Sequence, residues 1–523
     1  MSRQGRYRDG GAAHEASLEG RAMPELDATF TSLPLGEISG AALARAEELS
    51  CEHTEVRVER IRSQVVRLRD AQVETTLDDV VLGASARVLR DGSFGFAAGV
   101  ALDTDAAARL VADAAGTAEA TKAALRTRIE LAPEPSHGEV HWVSPFEIDP
   151  TEIPLSEKVD VLAEWSRRLL DRPGVDHVTA TVLAVIEDKY FADLAGTRAL
   201  QRRVRIHPVV EALSSDEETG EFETMRTLAP PAGYGWEYLT RVWDFDAELD
   251  ELPEHLAEKR RAPSIEPGRY DLVVDPSNLW LTIHESIGHA TELDRALGYE
   301  AAMAGTSFAT PDGLGSLKYG SEVMHVTGDR TTEHGLATVA IDDEGVAAQS
   351  FDLIVDGVLQ GYQLDRRIAA ETGRGRSNGC AYAESPLHTP IQRMANVSLQ
   401  PATGAEVSLD DLVSGVERGI YVVGDKSWSI DMQRYNFQFT GQRFYSIEGG
   451  RLGSQLKDVA YQARTTEFWG SMEAVGGPST YVLGGAFNCG KGQPMQAAPV
   501  SHGCPAALFR QVNILNTRTE AGR

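Results

Sequence analysis

The sequence predicts an α+β protein of two domains: an N-terminal α+β domain, then a C-terminal antiparallel, β-rich domain that carries one histidine-bearing helix. Three observations lead there. Short alternating apolar runs share the first half of the chain with two segments of helical spacing. A stretch of shifting charge carrying Pro253, Pro263 and Pro267 interrupts the chain near its middle. Beyond about residue 306, strand-like stretches dominate, separated by Gly and Asp-Gly turns.

Taken in order, residues 1–34 are polar at the start, Gly/Ala-rich and without period, and read as a flexible extension. The N-terminal domain is expected over 35–245. Within it, 54–61 and 64–68 read as strands, and 86–90 followed by Asp91-Gly92 and Phe94-Gly95-Phe96 reads as a hairpin. Residues 105–125 and 156–170 have helical spacing, and 178–187 and 199–207 return to strand. No grouping of chemical side chains stands out there. Residues 246–267 are expected to be a linker and 268–523 the metal-binding catalytic domain. This second domain opens with a strand at 269–275, Ser277 as N-cap and a helix from Leu279. Further strands are expected at 323–327, 338–342, 352–358, 420–423 and 437–447.

The bulk properties exclude some functions. A formal net charge of −28 over 523 residues opposes binding to nucleic acid or to an anionic membrane. No window reaches the 18 or so apolar residues of a membrane span, and the first 30 residues lack a signal-peptide core, so a cytoplasmic protein is expected. Cys51, Cys380, Cys489 and Cys504 are scattered, unlike a disulfide framework or a paired zinc ribbon.

The chemistry concentrates in His284-Glu285-Ser286-Ile287-Gly288-His289. Two imidazoles and a carboxylate this close read as a metal site, His284 and His289 binding the ion and Glu285 standing beside it as general base. In a regular helix, residues i and i+5 lie roughly 140° apart, too far round to share an ion. One π-type turn brings them together, and Gly288 makes the widening easier, so the spacing predicts a distorted helix. A catalytic zinc ion takes three protein ligands, so one more is needed. Cys489, in a Gly-rich stretch, and the pair His502/Cys504 are the candidates. A competing arrangement makes Cys489 or Cys504 a nucleophile with His502 as base. Glu292 and Asp294, about one turn on, are placed to accept from the second ring nitrogen of a ligand histidine.

These residues carry a resemblance to the TldD/PmbA family of metallopeptidases. The 284–289 motif resembles the family's HExxxH signature, and Cys489-Gly-Lys491-Gly-Gln493 its Cys-Gly-Lys-x-Gln stretch. Arg393-Met-Ala-Asn396 resembles its RMxN stretch, and Asn436-Phe-Gln-Phe439 with Tyr445-Ser-Ile-Glu-Gly-Gly450 its FxF hairpin. The likeness is strongest from Gly268 onward; Cys380 and the Ser501–Pro505 stretch depart from the pattern. The resemblance implies a TldD-type zinc peptidase acting on short or unfolded peptides, leader peptides among them, with His284, His289 and Cys489 as zinc ligands and Glu285 as general base. It also implies a chamber closed by dimerisation, either with a second copy or with a TldE/PmbA-like subunit that lacks the metal motif. A non-catalytic partner subunit is the alternative, against which the intact His-Glu-His set with Cys489 argues.

Overall fold

The computed structural model describes residues 25–520 apart from 217 and 219. Mixed helix and strand form an N-terminal and a C-terminal domain, as the patterning predicts. The N-terminal sheet contains β1 (His53–Arg69), β2 (Gln72–Arg90), β3 (Ser93–Gly99), β4 (Glu139–Val143), β5 (His177–Asp193), β6 (Arg198–Ser215) and β7 (Phe222–Arg226). Its order is β3-β2-β1-β5-β6-β4, with β7 also on β6. The two expected strands at 54–61 and 64–68 are one continuous β1, paired along its length with β2 and β5. Helices Leu35–Glu48 and Thr104–Lys122 cover one end of the sheet; Leu155–Leu170 and Phe245–Arg261 cover the other.

Two boundaries differ from expectation. The expected extension through residue 34 falls partly outside the described residues, but 28–31 form a helical turn capped by Asp27, whose carboxylate accepts from the Phe30 N–H at 2.8 Å. Phe30 is 2% exposed and belongs to the core with Ile38 and Val111. Where 246–267 were expected to link domains, 245–261 form a helix whose Phe245, Leu249, Leu252 and Leu256 are buried in the N-terminal core. The apolar spacing of those four residues outweighs the charge around them, and Pro253 is accommodated within the helix.

In the second domain the strands are β8 (Gly268–Val274), β9 (Val326–Asp329), β10 (Ser350–Val355), β11 (Val358–Leu359), β12 (Ala381–Tyr382), β13 (Ile391–Gln392) and β14 (Asn396–Leu399). They continue as β15 (Arg418–Ile430), β16 (Asn436–Glu448), β17 (Arg451–Leu456), β18 (Val459–Arg464), β19 (Met472–Val475), β20 (Val482–Lys491), β21 (Gln496–Cys504) and β22 (Ala507–Asn516). The main sheet closes on itself through β15, β8, β22, β18 and β16, because β16 pairs back onto β15. One pairing, β15 with β8, is parallel, against the wholly antiparallel expectation. The helix Pro276–Ile283 leaves β8 directly; its N-cap is Asp275, not Ser277. Asn278 ties that helix to the closed sheet, donating to the carbonyls of Gly424 and Thr440 and accepting from the Tyr461 hydroxyl.

The strand expected at 338–342 does not form. Gln201 of β6 takes the backbone of this segment instead, accepting from the N–H groups of Ala340 and Ile341 and donating to the Ile341 carbonyl. An apolar run next to Asp342, Asp343 and Glu344 is thereby pinned to the N-terminal sheet.

Because Phe30 fills a core position, Phe30→Ala is expected to lower the stability of the N-terminal domain by about 3–5 kcal/mol, measured by denaturant unfolding. A truly flexible 28–34 segment would show no change.

Candidate metal centre

The helix Pro276–Ile283 runs into a π turn over His284–Gly288, followed by a tight turn over His289–Thr291. The defining bond is His289 N–H to the His284 carbonyl, an i→i+5 link. It places the two rings 4.7 Å apart between centroids. Widening the helix frees carbonyls, and each finds a donor: Ser286 O accepts from the Tyr319 hydroxyl, Gly288 O from Gln363 Nε2 at 2.7 Å, and Ile287 O from Thr291 Oγ1 at 2.9 Å. Gly288 itself has ordinary right-handed helical dihedrals. Its role is spatial: a Cβ there would come within 2.5 Å of Met394 Sδ.

Opposite the turn, β20 and β21 form a two-stranded sheet that carries Cys489 to the histidines. One donor atom each from His284, His289 and Cys489 lie within 4.8 Å of one another, all three side chains buried, and Cys489 Sγ is 3.6 Å from His289 Nε2. No other such group occurs among the described residues. Arg393 fixes the hairpin from behind, donating to the carbonyls of Cys489 and Gln496 at 2.5 and 2.7 Å.

Hydrogen bonding fixes which nitrogens face inward. His502 Nδ1 lies 2.9 Å from the Val397 carbonyl, which can only accept, so Nδ1 carries the proton and Nε2 the lone pair. That Nε2 is 2.7 Å from His284 Nδ1, which must then donate, leaving His284 Nε2 free as a ligand atom. Burial, with His284 beside it, keeps His502 neutral, far below the usual imidazole range. His289 Nδ1 donates in the same way to Glu292 at 2.9 Å, leaving Nε2 towards Cys489. Burial lowers both His284 and His289, which suits neutral imidazole ligands. For Cys489, burial pushes upward, but His289 and Arg393 prevail and bring the thiol below its ordinary value. A neutral imidazole pair with a thiolate-prone cysteine is a donor set that fits zinc.

Glu292 belongs to a buried ionic platform. Burial would raise its carboxyl, but Lys491, His289 and Arg295 hold it well below the usual range. Lys491 also contacts Asp294 at 2.7 Å, and Arg295 contacts Glu300 at 3.1 Å. Glu292 thus accepts from a ligand ring, as anticipated, whereas Asp294 serves Lys491 instead.

The structure therefore gathers His284, His289 and Cys489, leaves Glu285 on the same turn, and places His502 behind His284. Cys504 turns away to the Pro276 carbonyl, its thiol pushed far up by burial, which removes it as a nucleophile. Cys380 is fully buried and its thiol is pushed up to about 12. Sequence reasoning missed Arg434, which pairs with Glu285 Oε2 at 2.5 Å from the β15–β16 turn, where its φ is +63°. Its position two residues before the Asn436-Phe-Gln-Phe439 match was the one available signal.

Known proteins resemble the chain along most of its length. A family model described as the PmbA/TldA metallopeptidase C-terminal domain matches residues 267–516, and one described as PmbA/TldA metallopeptidase domain 1 matches 54–118. A protein named metalloprotease from Methanothermobacter thermautotrophicus is 27% identical over 473 residues, 89% of this chain and 96% of its own. A zinc metalloprotease TldD homolog from Saccharolobus solfataricus is 24% identical over 53% of this chain and 58% of that protein. Among solved structures, a protein described as a modulator of DNA gyrase from Thermotoga maritima superposes with a TM-score of 0.72 at 15% identity, covering 92% of this chain and 100% of that one. TldE from Thermococcus kodakarensis gives 0.65 at 16%, covering 91% and 99%. At those identities the two structural likenesses concern the fold alone.

His502 holds the tautomer of His284, so His502→Leu is expected to weaken zinc binding by about 10- to 100-fold in chelator competition, with His502→Gln, which retains an acceptor, losing less. Equal affinities in all three proteins would refute the relay.

Proposed function

The chain belongs to the PmbA/TldD metallopeptidase family, and from that premise we propose that it is a zinc-dependent peptidase hydrolysing short or unfolded peptides. The observation that carries this reading is the convergence of three buried donor atoms within 4.8 Å, with Glu285 on the same turn. His284, His289 and Cys489 would hold the ion. When bound, zinc supplies Lewis-acid polarisation of the scissile carbonyl and acidifies a water molecule.

The remaining work falls to the chain. Glu285 acts as general base, taking a proton from the attacking water on Oε1, the oxygen Arg434 does not engage, and returning it to the departing amine. Arg434 keeps the carboxylate in place between these steps. Beyond its pairing with β21, β20 has an unpaired edge among the described residues, so an extended peptide can add to it as a strand beside Cys489. The active form is a dimer, with a second copy or a TldE/PmbA-like subunit, and it works in the cytoplasm. No helix among the described residues is long and apolar enough to cross a membrane.

Metal analysis of the purified protein, joined to cleavage of a mixed short-peptide library with and without chelator, tests the reading directly. Glu285→Gln is expected to retain zinc and lose hydrolysis by about 10²–10⁴-fold. Cys489→Ala is expected to lose the metal. Full zinc occupancy in Cys489→Ala, or unimpaired turnover in Glu285→Gln, would sink the assignment of roles. Arg434→Gln is expected to reduce kcat while leaving KM and zinc content unchanged; an unchanged kcat would remove Arg434 from the mechanism.

A further inference from the structure

A cavity of about 490 Å³ lies between the N-terminal sheet and the C-terminal domain, and one of its lining residues, Asp294, shares Lys491 with Glu292, the acceptor of His289. Apolar and aromatic walls come from Phe94, Tyr299 and Ile368, and three carboxylates, Asp294, Glu344 and Asp365, line it. Two of these are neutralised within the chain. Glu344 accepts from Arg87 and from the Arg366 N–H, each at 2.7 Å, and Asp294 accepts from Lys491 at 2.7 Å. Asp365 is different. It is 9% exposed, its Oδ1 accepts only the Ile368 N–H at 2.7 Å, and no described residue donates to its Oδ2. Arg367, also on the wall, is held over the Tyr299 ring at 4.9 Å and donates to that hydroxyl.

The three carboxylates do not form a site for a single metal ion, since only the His284 group among the described residues brings its donors that close. The volume, the apolar walls and one largely buried carboxylate with a single oxygen left without a donor instead suit a cation on a long hydrocarbon stem. The turn at Gly492, Gln493 and Pro494, which follows Cys489 on its strand, forms part of the wall. We propose that this cavity receives an arginine or lysine side chain of the peptide substrate, with Asp365 as its ion-pair partner. This rests on the peptidase reading for the identity of the ligand, though not for the cation site itself.

Asp365 also reports its own occupancy. Burial, then the neighbouring Glu344 and Asp294, push its carboxyl up to about 8, against the opposing Ile368 N–H and Arg87. The other cations around it, Arg367 and Lys491, are engaged with Tyr299 and the Asp294 group. A guanidinium binds the ionised form, so affinity should rise as pH climbs from about 6.5 to about 9.

Titration calorimetry with N-acetyl-L-argininamide and its uncharged isostere N-acetyl-L-citrullinamide on the full chain needs no hydrolysis. The arginine compound is expected to bind at least about 10-fold more tightly, and Asp365→Asn, which keeps the helix cap, is expected to erase that difference. Thr117→Trp, at an exposed lining position, obstructs the cavity and should weaken binding independently. Equal binding of the two compounds, or an arginine preference untouched in both variants, overturns the proposal. Peptide cleavage without Asp365-dependent arginine binding defeats this inference alone, and arginine binding without any peptide cleavage defeats the peptidase reading alone.

Discussion

One backbone hydrogen bond, His289 N–H to His284 C=O, sets the terms for the rest of the site. Without its extra residue per turn, the two imidazoles would point to different sides of the helix, and neither Cys489 nor Glu285 would have a common focus. The widening exposes carbonyls inside a dry core, where each unmade hydrogen bond would cost about 1–3 kcal/mol. Tyr319, Gln363 and Thr291 supply the missing donors, so residues far apart in sequence support one irregular turn. Close packing imposes a second demand at the same point, because a side chain at Gly288 would force the buried end of Met394 to move.

The same logic of satisfied buried groups extends outward. Glu292, Arg295 and Glu300 are fully buried and Lys491 nearly so, a costly arrangement unless every charge has a partner. Counting Asp294, the platform holds three carboxylates against two cations. Burial pushes Asp294 and Glu300 upward, against the pull of Lys491, so the excess negative charge is relieved at those carboxyls while Glu292 stays ionised to accept from His289. On the other flank a neutral chain, Val397 carbonyl to His502 to His284, does the orienting without any charge. One histidine is thus oriented by an ionised acid and the other by a second imidazole.

Much of the site was legible because its signal is local. The spacing of His284 and His289 implies a π turn by geometry alone, and Cys489 stood out beside glycine. His502 was legible as a residue but not as a role: an orienting imidazole has the same sequence signature as a ligand or a surface histidine. Arg434 was hidden because its contact with Glu285 crosses 149 positions. The fold shows the same division. Strands with alternating burial and the helices 104–122 and 155–170 appear near where periodicity puts them. The helix 245–261 was masked by its charged exposed face and by Pro253, and 338–342 carries a strand's apolar residues but meets a glutamine side chain instead of a partner strand.

That last segment explains what a domain with no evident chemistry contributes. Arg57 and Lys189, on β1 and β5, pair with Asp343, while Glu59 and Glu187 complete a buried ionic cluster around Lys189. Asp343 Oδ2, the oxygen facing Arg57, also accepts the Ala383 N–H at 2.7 Å; the next residue, Glu384, donates its N–H to Gln496 at 2.9 Å; and Gln496 begins the strand paired with Cys489. A continuous set of short hydrogen bonds therefore runs from the N-terminal sheet to the hairpin that carries the third donor. Removing the carboxylate at 343 would leave Lys189 short of an anion and would loosen the hairpin at the same stroke. The N-terminal domain thus braces the candidate metal centre through the part of its charge that is buried, Arg57, Glu59, Glu187 and Lys189, while its other ion pairs, such as Arg62 with Asp78, lie on the surface.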